Sequence, residues 1–113
     1  MNKLILMLGG LLLAGAAQAS GNVAAGKALT EKYQCFACHG KDYNSPIAPD
    51  YPKLAGQHKD YLEHALKAYK RNTGAYGRNN PIMVGQVQPL SDQDLKDLAA
   101  YFASLPGTLA THR

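Results

Sequence analysis

The feature that most constrains this chain is the segment Cys35-Phe36-Ala37-Cys38-His39, which contains both cysteines of the 113-residue sequence. Cys-x-x-Cys-His is the attachment pattern of c-type haem. Residues three and four positions apart share one face of a helix, so both thiols and the imidazole would point to the same side. Each thiol can then add to one haem vinyl group while the imidazole ligates the iron. We therefore expect one covalently bound haem c, held by Cys35, Cys38 and His39.

Two other functions use closely spaced cysteines. A redox-active dithiol commonly has the form Cys-x-x-Cys, and a cysteine pair can be half of a zinc site. A thioredoxin-like protein needs a strand before the motif and a βαβ pattern after it, and the sequence shows neither. A zinc site lacks ligands, because no second cysteine pair exists and the other histidines show no ligand spacing: His58, His64 and His112. The motif therefore favours haem over both alternatives.

The N-terminus has the pattern of a cleaved signal peptide. Lys3 supplies a positive start, residues 4–17 form an apolar run, and Ala17-Gln18-Ala19 is the small-x-small pattern that signal peptidase recognises. The run has 14 residues, whereas a membrane-spanning helix needs about 20. No cysteine directly follows the expected cleavage site, so a lipid anchor is not indicated either. We predict that residues 1–19 are removed and that residues 20–113 form one domain, exported to the periplasm without a membrane anchor.

The charge and composition of residues 20–113 narrow the function further. Without Lys3 the chain keeps 11 positive and 8 negative side chains, which are scattered and form no basic stripe. Nucleic-acid binding is therefore not expected. Only 15 residues from Ser20 onward are Val, Ile, Leu or Met. Small domains with so little aliphatic volume usually depend on a disulfide, a metal or a cofactor, so we expect the haem to complete the core.

Hydrophobic spacing predicts an all-α domain. A first helix is expected from Val23 to Gln34 with Asn22 as its cap, and a second from Lys59 to Arg71. A last helix follows Ser91-Asp92-Gln93-Asp94, which is a capping signature. Prolines interrupt residues 41–57, so this segment is predicted to be an irregular loop, as is the segment between the second and last helices. No alternating strand pattern occurs in the sequence.

Met83 is the candidate for the second axial ligand of the haem iron. It is the only methionine after the expected cleavage site, and it lies in the segment predicted to be a loop between the second and last helices. A thioether is a soft ligand that favours Fe(II), and Met/His ligation raises the haem potential. Most methionines are ordinary core residues. Here the nearby Pro81, Gly85 and Pro89 indicate a shaped loop, which favours the ligand role for Met83.

Together these residues resemble the class I c-type cytochromes, and within them the small bacterial periplasmic single-haem forms that look like one half of a dihaem cytochrome c. The resemblance covers essentially all of residues 20–113. It rests on the haem motif and on an ordered set of further segments: Gly26-Lys27, Pro52 to Gln57 with Tyr61, Gly74 and Arg78 ahead of Met83, Leu90-Ser91-Asp92, and Leu98 to Phe102. The resemblance implies a small cytochrome c fold, with three to five helices wrapped around the haem.

The resemblance also implies roles for individual residues. The carbonyl of Pro52 would accept a hydrogen bond from the outer ring nitrogen of His39, and Leu54 would pack on the haem. Gly26 would let the first helix cross the last near Tyr101. Two polar side chains would lie near the haem propionates, with plain solvent exposure as the alternative: Gln57 and Arg78.

The expected function follows from the expected coordination. Iron with two axial protein ligands has no vacant site for a substrate, so the useful event is a one-electron change between Fe(III) and Fe(II). We expect a monomeric, soluble, non-catalytic electron carrier that exchanges electrons with periplasmic or membrane-bound oxidoreductases. Two alternatives stay open. One is a peroxidase-like or gas-binding haem enzyme in which Met83 leaves the iron open, and the other is a dedicated haem subunit of a larger oxidoreductase.

Overall fold

The computed structural model describes residues 20–74 and 77–108. Within these ranges the chain forms helices and no strand, which confirms the all-α prediction: α1 (Val23–Lys32), α2 (Phe36–His39), α3 (Lys59–Arg71), α4 (Pro81–Val87) and α5 (Asp92–Ser104). The expected signal peptide, residues 1–19, lies outside the described part of the chain. None of the described helices is long and apolar enough to cross a membrane.

The first helix begins and ends for local reasons. The side chain of Asn22 accepts a hydrogen bond from the backbone N–H of Ala25 at 2.8 Å, so the predicted cap is present. The helix ends at Lys32, two residues earlier than predicted. Gln34 has a φ of +54°, in the left-handed region, which a continuing right-handed helix does not allow.

The helices α1 and α5 cross closely at Gly26. A Cβ added to Gly26 would overlap the carbonyl oxygen of Asp97 and would lie 2.7 Å from the Cβ of Tyr101. This confirms the crossing implied by the resemblance. Asp97 is itself buried, and its carboxylate accepts hydrogen bonds from the backbone N–H of Asn22 at 2.7 Å and from Gln93 Nε2 at 3.0 Å. A carboxylate next to the start of α1 also stabilises that helix, because its negative charge is attracted to the positive end of the helix dipole.

The capping signature before the last helix is confirmed in full. The Ser91 hydroxyl accepts a hydrogen bond from the backbone N–H of Asp94 at 3.1 Å, and the Asp94 carboxylate accepts one from the backbone N–H of Ser91 at 2.9 Å. This reciprocal capping box satisfies two amides that the helix itself leaves unpaired. The helix α5 then contributes the largest share of the core.

The prediction that the whole segment between α3 and α5 is a loop is wrong, because residues Pro81–Val87 form the helix α4. The side chain of Asn80 caps this helix by accepting hydrogen bonds from the backbone N–H groups of Ile82 at 3.1 Å and Met83 at 3.3 Å. Pro81 takes the first helical position, where a missing N–H costs nothing. Met83 therefore lies on a helix and not in a loop.

The core lies between α3, α5 and the end of α4, and the loop after α2 closes it from one side. Tyr43 in this loop is only 3% exposed and has a φ of +58°. Its ring packs edge-on against Phe102, with 4.9 Å between ring centroids. The Tyr43 carbonyl accepts hydrogen bonds from the backbone N–H groups of Leu54 at 2.9 Å and Ala55 at 3.1 Å. These bonds hold the chain around Pro52 close to α2.

Candidate haem site

One cavity of about 300 Å³ brings together all the residues that the sequence indicates for the haem. It is bounded by α2, the loop after it, and inward faces of α3, α4 and α5. The predicted ligands and contact residues all line this cavity: Cys35, Cys38, His39, Pro52, Leu54 and Met83. Much of the remaining wall is apolar, and the sequence did not assign these residues to the haem: Leu62, Leu66, Val87, Leu90, Leu98 and Phe102.

The two thiols lie one helical turn apart at the cavity wall. Cys35 precedes α2 as its N-cap and Cys38 lies within it, and both are half-buried and unpaired. Burial raises the pKa of the Cys35 thiol to about 11, so this group is protonated at neutral pH. A redox-active dithiol requires the opposite, a thiolate with a lowered pKa. The environment of Cys35 therefore argues against the dithiol alternative.

His39 is held in the tautomer that a metal ligand needs. The side chain is 5% exposed, and its Nδ1 lies 2.9 Å from the carbonyl oxygen of Pro52. Burial lowers the pKa of His39, while the bond to Pro52 opposes this shift. A carbonyl can only accept, so Nδ1 carries the proton of the neutral ring and Nε2 keeps a free lone pair. The hydrogen bond that the resemblance implies is thus present.

Tyr51 supports the same imidazole and was missed from the sequence. Its ring meets the His39 ring edge-on, with 6.3 Å between centroids and 74° between planes. Tyr51 also lines the cavity. The only available signal was its position directly before Pro52, which is too weak to assign an orientation.

Met83, on α4, lines the cavity. It is half-buried against the core, and Val87, four residues later and 1% exposed, lies on the same helical face. The donors in and around the cavity are thus two thiols, a neutral imidazole and a thioether, surrounded by apolar side chains. This set fits haem c, because it offers two groups for covalent attachment, two for axial ligation and an apolar surface for the ring.

The two residues suggested for the propionates also line the cavity, and both have partners within the protein. Gln57 Oε1 accepts a hydrogen bond from the backbone N–H of His58 at 2.9 Å. Arg78 Nη2 donates to the Tyr61 hydroxyl at 3.3 Å, and this bond raises the pKa of Arg78. His58 and His64 are exposed, and His112 lies outside the described residues.

Comparisons with known proteins identify the family of this chain. Residues 23–106 match the family model of cytochrome c. Cytochrome c4 from Stutzerimonas stutzeri is 46% identical over 115 residues, which cover 96% of this chain and 53% of that protein. Cytochrome c-554(548) from Halomonas halodenitrificans is 47% identical over 70 residues, which cover 62% of this chain and 82% of that protein.

A solved structure is similar as well. The crystal structure of reduced recombinant cytochrome c4 from Pseudomonas stutzeri aligns with a TM-score of 0.70 and 42% identity, over 79% of this chain and 48% of that one. The chain therefore spans about half the length of the cytochrome c4 relatives, in agreement with the resemblance to one half of a larger cytochrome. Its sequence and fold make it a member of the cytochrome c family, which implies covalently bound haem c, and Cys35 and Cys38 fit the attachment motif.

Proposed function

We propose that this protein is a soluble periplasmic electron carrier whose haem iron is ligated by His39 and Met83. The observation that carries the proposal is the neutral imidazole of His39, fixed by Pro52 in an apolar cavity that Met83 also lines. When bound, haem c supplies a one-electron couple between Fe(III) and Fe(II). The family assignment to cytochrome c supports this function.

Each residue of the site would have a separate role. Cys35 and Cys38 hold the cofactor permanently, so it is not lost between encounters with partners. His39 keeps its Nδ1 proton on Pro52, which raises the basicity of Nε2 and fixes the ring orientation. Met83 would hold the iron through its thioether, a soft donor that favours Fe(II). The apolar part of the wall would pack against the faces of the haem ring and limit the access of water to it.

The redox partners would be periplasmic or membrane-bound oxidoreductases that meet the protein at the rim of the cavity.

Export is tested by mass spectrometry of periplasmic material. We expect a chain of residues 20–113 plus one haem, since Ala17-Gln18-Ala19 matches the pattern of signal peptidase. A chain that retains residues 1–19, or a haem released by acidic organic solvent, would contradict the proposal.

The role of Met83 is tested by Met83→Ala in the holoprotein. Loss of the thioether should abolish the sulfur-to-iron charge-transfer band, lower the reduction potential and let peroxide reach the cavity. Val84→Ala is the matched control, because Val84 is next to Met83 on α4 and is not one of the residues that line the cavity. Potentiometric titration and a peroxidase assay are run on both variants beside the parent.

Each outcome of this experiment separates carrier from enzyme. A parent that already turns over peroxide as fast as Met83→Ala would favour a peroxidase-like enzyme. A potential and spectrum that do not change in Met83→Ala would show that Met83 does not close the site, and the electron-carrier proposal would give way to the enzymatic alternative.

A further inference from the structure

Apart from Met83 itself, which packs against the core, the first turn of α4 has little apolar anchoring. Pro81 is exposed and Ile82 is 51% exposed, whereas Val87 at the other end of the helix is 1% exposed. The helix packs on α3, and the Gln88 side chain ties its far end to the carbonyl oxygen of Lys70 at 3.3 Å. The position of Met83 therefore depends on the segment that enters α4.

Arg78 ties this entering segment to α3 through its backbone and its side chain. The backbone N–H of Arg78 donates to the carbonyl oxygen of Ala68 at 3.0 Å. The guanidinium donates to the Tyr61 hydroxyl at 3.3 Å, and its Cζ lies 5.4 Å from the ring centroid of Tyr69. Both tyrosines belong to α3. We call the contacts of the Arg78 guanidinium with Tyr61 and Tyr69 the Arg78 latch.

The latch is two residues away from the group that orients Met83 directly. Asn80 caps α4, and its side chain accepts hydrogen bonds from the backbone N–H groups of Ile82 and Met83. A shift of Arg78 away from α3 would therefore move Asn80, and with it the first turn of the helix. The intervening connection is only one residue long, so it can absorb little of such a shift.

We propose that Arg78 is a positioning residue for Met83, and that the Arg78 latch holds the first turn of α4 so that the thioether stays at the cavity. This inference rests on the proposed role of Met83 as axial ligand. A role of Arg78 at the haem propionates would act through its positive charge. The latch acts through contacts with two tyrosines, so variants of the tyrosines distinguish the two roles.

The test measures how fast added imidazole displaces Met83 from the ferric holoprotein, followed by loss of the sulfur-to-iron charge-transfer band. The hydrogen bond and the cation–π contact are each worth roughly a factor of three, so Arg78→Gln should accelerate displacement about tenfold. Arg71→Gln is the matched control, because it removes the same charge from an exposed position in the last turn of α3. We expect its rate to stay within about twofold of the parent.

A double variant removes the latch and keeps the charge. Tyr61→Leu with Tyr69→Leu should reproduce most of the acceleration, since Arg78 then lacks the Tyr61 hydroxyl and both aromatic rings. Arg78→Lys should give an intermediate rate, because an ammonium retains the charge but not the planar stacking of guanidinium. If Arg78→Gln fails to fold, Arg78→Lys beside the double variant makes the same comparison.

Hydrogen exchange provides a readout that does not depend on the iron. The backbone amides of residues 82–85 should exchange about tenfold faster in Arg78→Gln and unchanged in Arg71→Gln. The proposal is overturned if neither rate changes in Arg78→Gln, or if the double tyrosine variant behaves like the parent. A parent without a sulfur-to-iron band would instead refute the proposed ligation by Met83, and hydrogen exchange would still decide whether the latch holds α4.

Discussion

Gly26 sets how closely α1 and α5 approach each other, so its replacement is the sharpest test of the fold at the scale of one residue. In Gly26→Ala the new Cβ would overlap the backbone of Asp97 and press on Tyr101, and backbone cannot rotate away. We expect a loss of about 3 kcal/mol in the free energy of unfolding. Denaturant unfolding of the holoprotein measures this loss.

Gly85→Ala is the control for that experiment. Gly85 is also helical, but an added Cβ there would meet nothing within 4 Å. We expect Gly85→Ala to be neutral or to gain about 0.5–1 kcal/mol, as alanine usually does in a helix. Equal losses in the two variants would mean that the crossing at Gly26 is not what limits stability.

Single residues also show where reasoning from the sequence stops. The crossing at Gly26 and the contact between His39 and Pro52 could be predicted from the sequence, because they belong to a recognisable ordered set of motifs. The position of Tyr43 could not be predicted. Its burial and its left-handed φ depend on Phe102, Leu54 and Ala55, which are distant in the chain, and no local pattern encodes such contacts.

At the scale of a helix, the capping box of α5 offers a direct test. Ser91→Ala removes the hydroxyl that pairs the N–H of Asp94, and we expect α5 to lose about 1 kcal/mol of stability. Ser104→Ala serves as control, since Ser104 is exposed in the last turn and bonds only to the carbonyl of Tyr101 three residues earlier. Thermal unfolding followed by circular dichroism compares the two. A smaller effect for Ser91→Ala than for Ser104→Ala would refute the capping role.

The sequence predicted some helices correctly and missed another, and the difference has a physical reason. The bounds of α3 agree with the prediction, because Leu62, Leu66 and Tyr69 repeat with the period of a helix. The short α4 was read as a loop, because Pro81 and Gly85 are helix breakers in most contexts. The pair Asn80-Pro81 was the signal that could have revealed it, as a cap followed by proline at the first helical position.

For the whole molecule, the cavity explains why so small a hydrophobic core suffices. Apolar side chains line much of this cavity of about 300 Å³, and without a cofactor they would face water. The haem would bury them, and burial of apolar surface is the dominant favourable term in folding. The sequence indicated that the core is short of aliphatic volume, because only 15 residues from Ser20 onward are Val, Ile, Leu or Met, but it could not indicate the shape of the cavity.

The corresponding experiment replaces both attachment residues, Cys35→Ala with Cys38→Ala. We expect the haem-free chain to be largely unfolded, with little helical circular dichroism and no cooperative melting. Parent holoprotein measured beside it shows the native signal. Cooperative, native-like melting of the haem-free variant would mean that the polypeptide alone forms a sufficient core.

The contact between α1 and α5 also bears on the order of events during biogenesis. Asn22 and Asp97, which meet at this contact, are 75 positions apart. Synthesis proceeds from the N-terminus, so Cys35 and Cys38 emerge long before the helix that seals the fold against α1. Pairings between such distant segments form late, because loop closure must precede them. The thiols are therefore accessible on an open chain, and attachment there would let the arrival of α5 enclose a cofactor already in place.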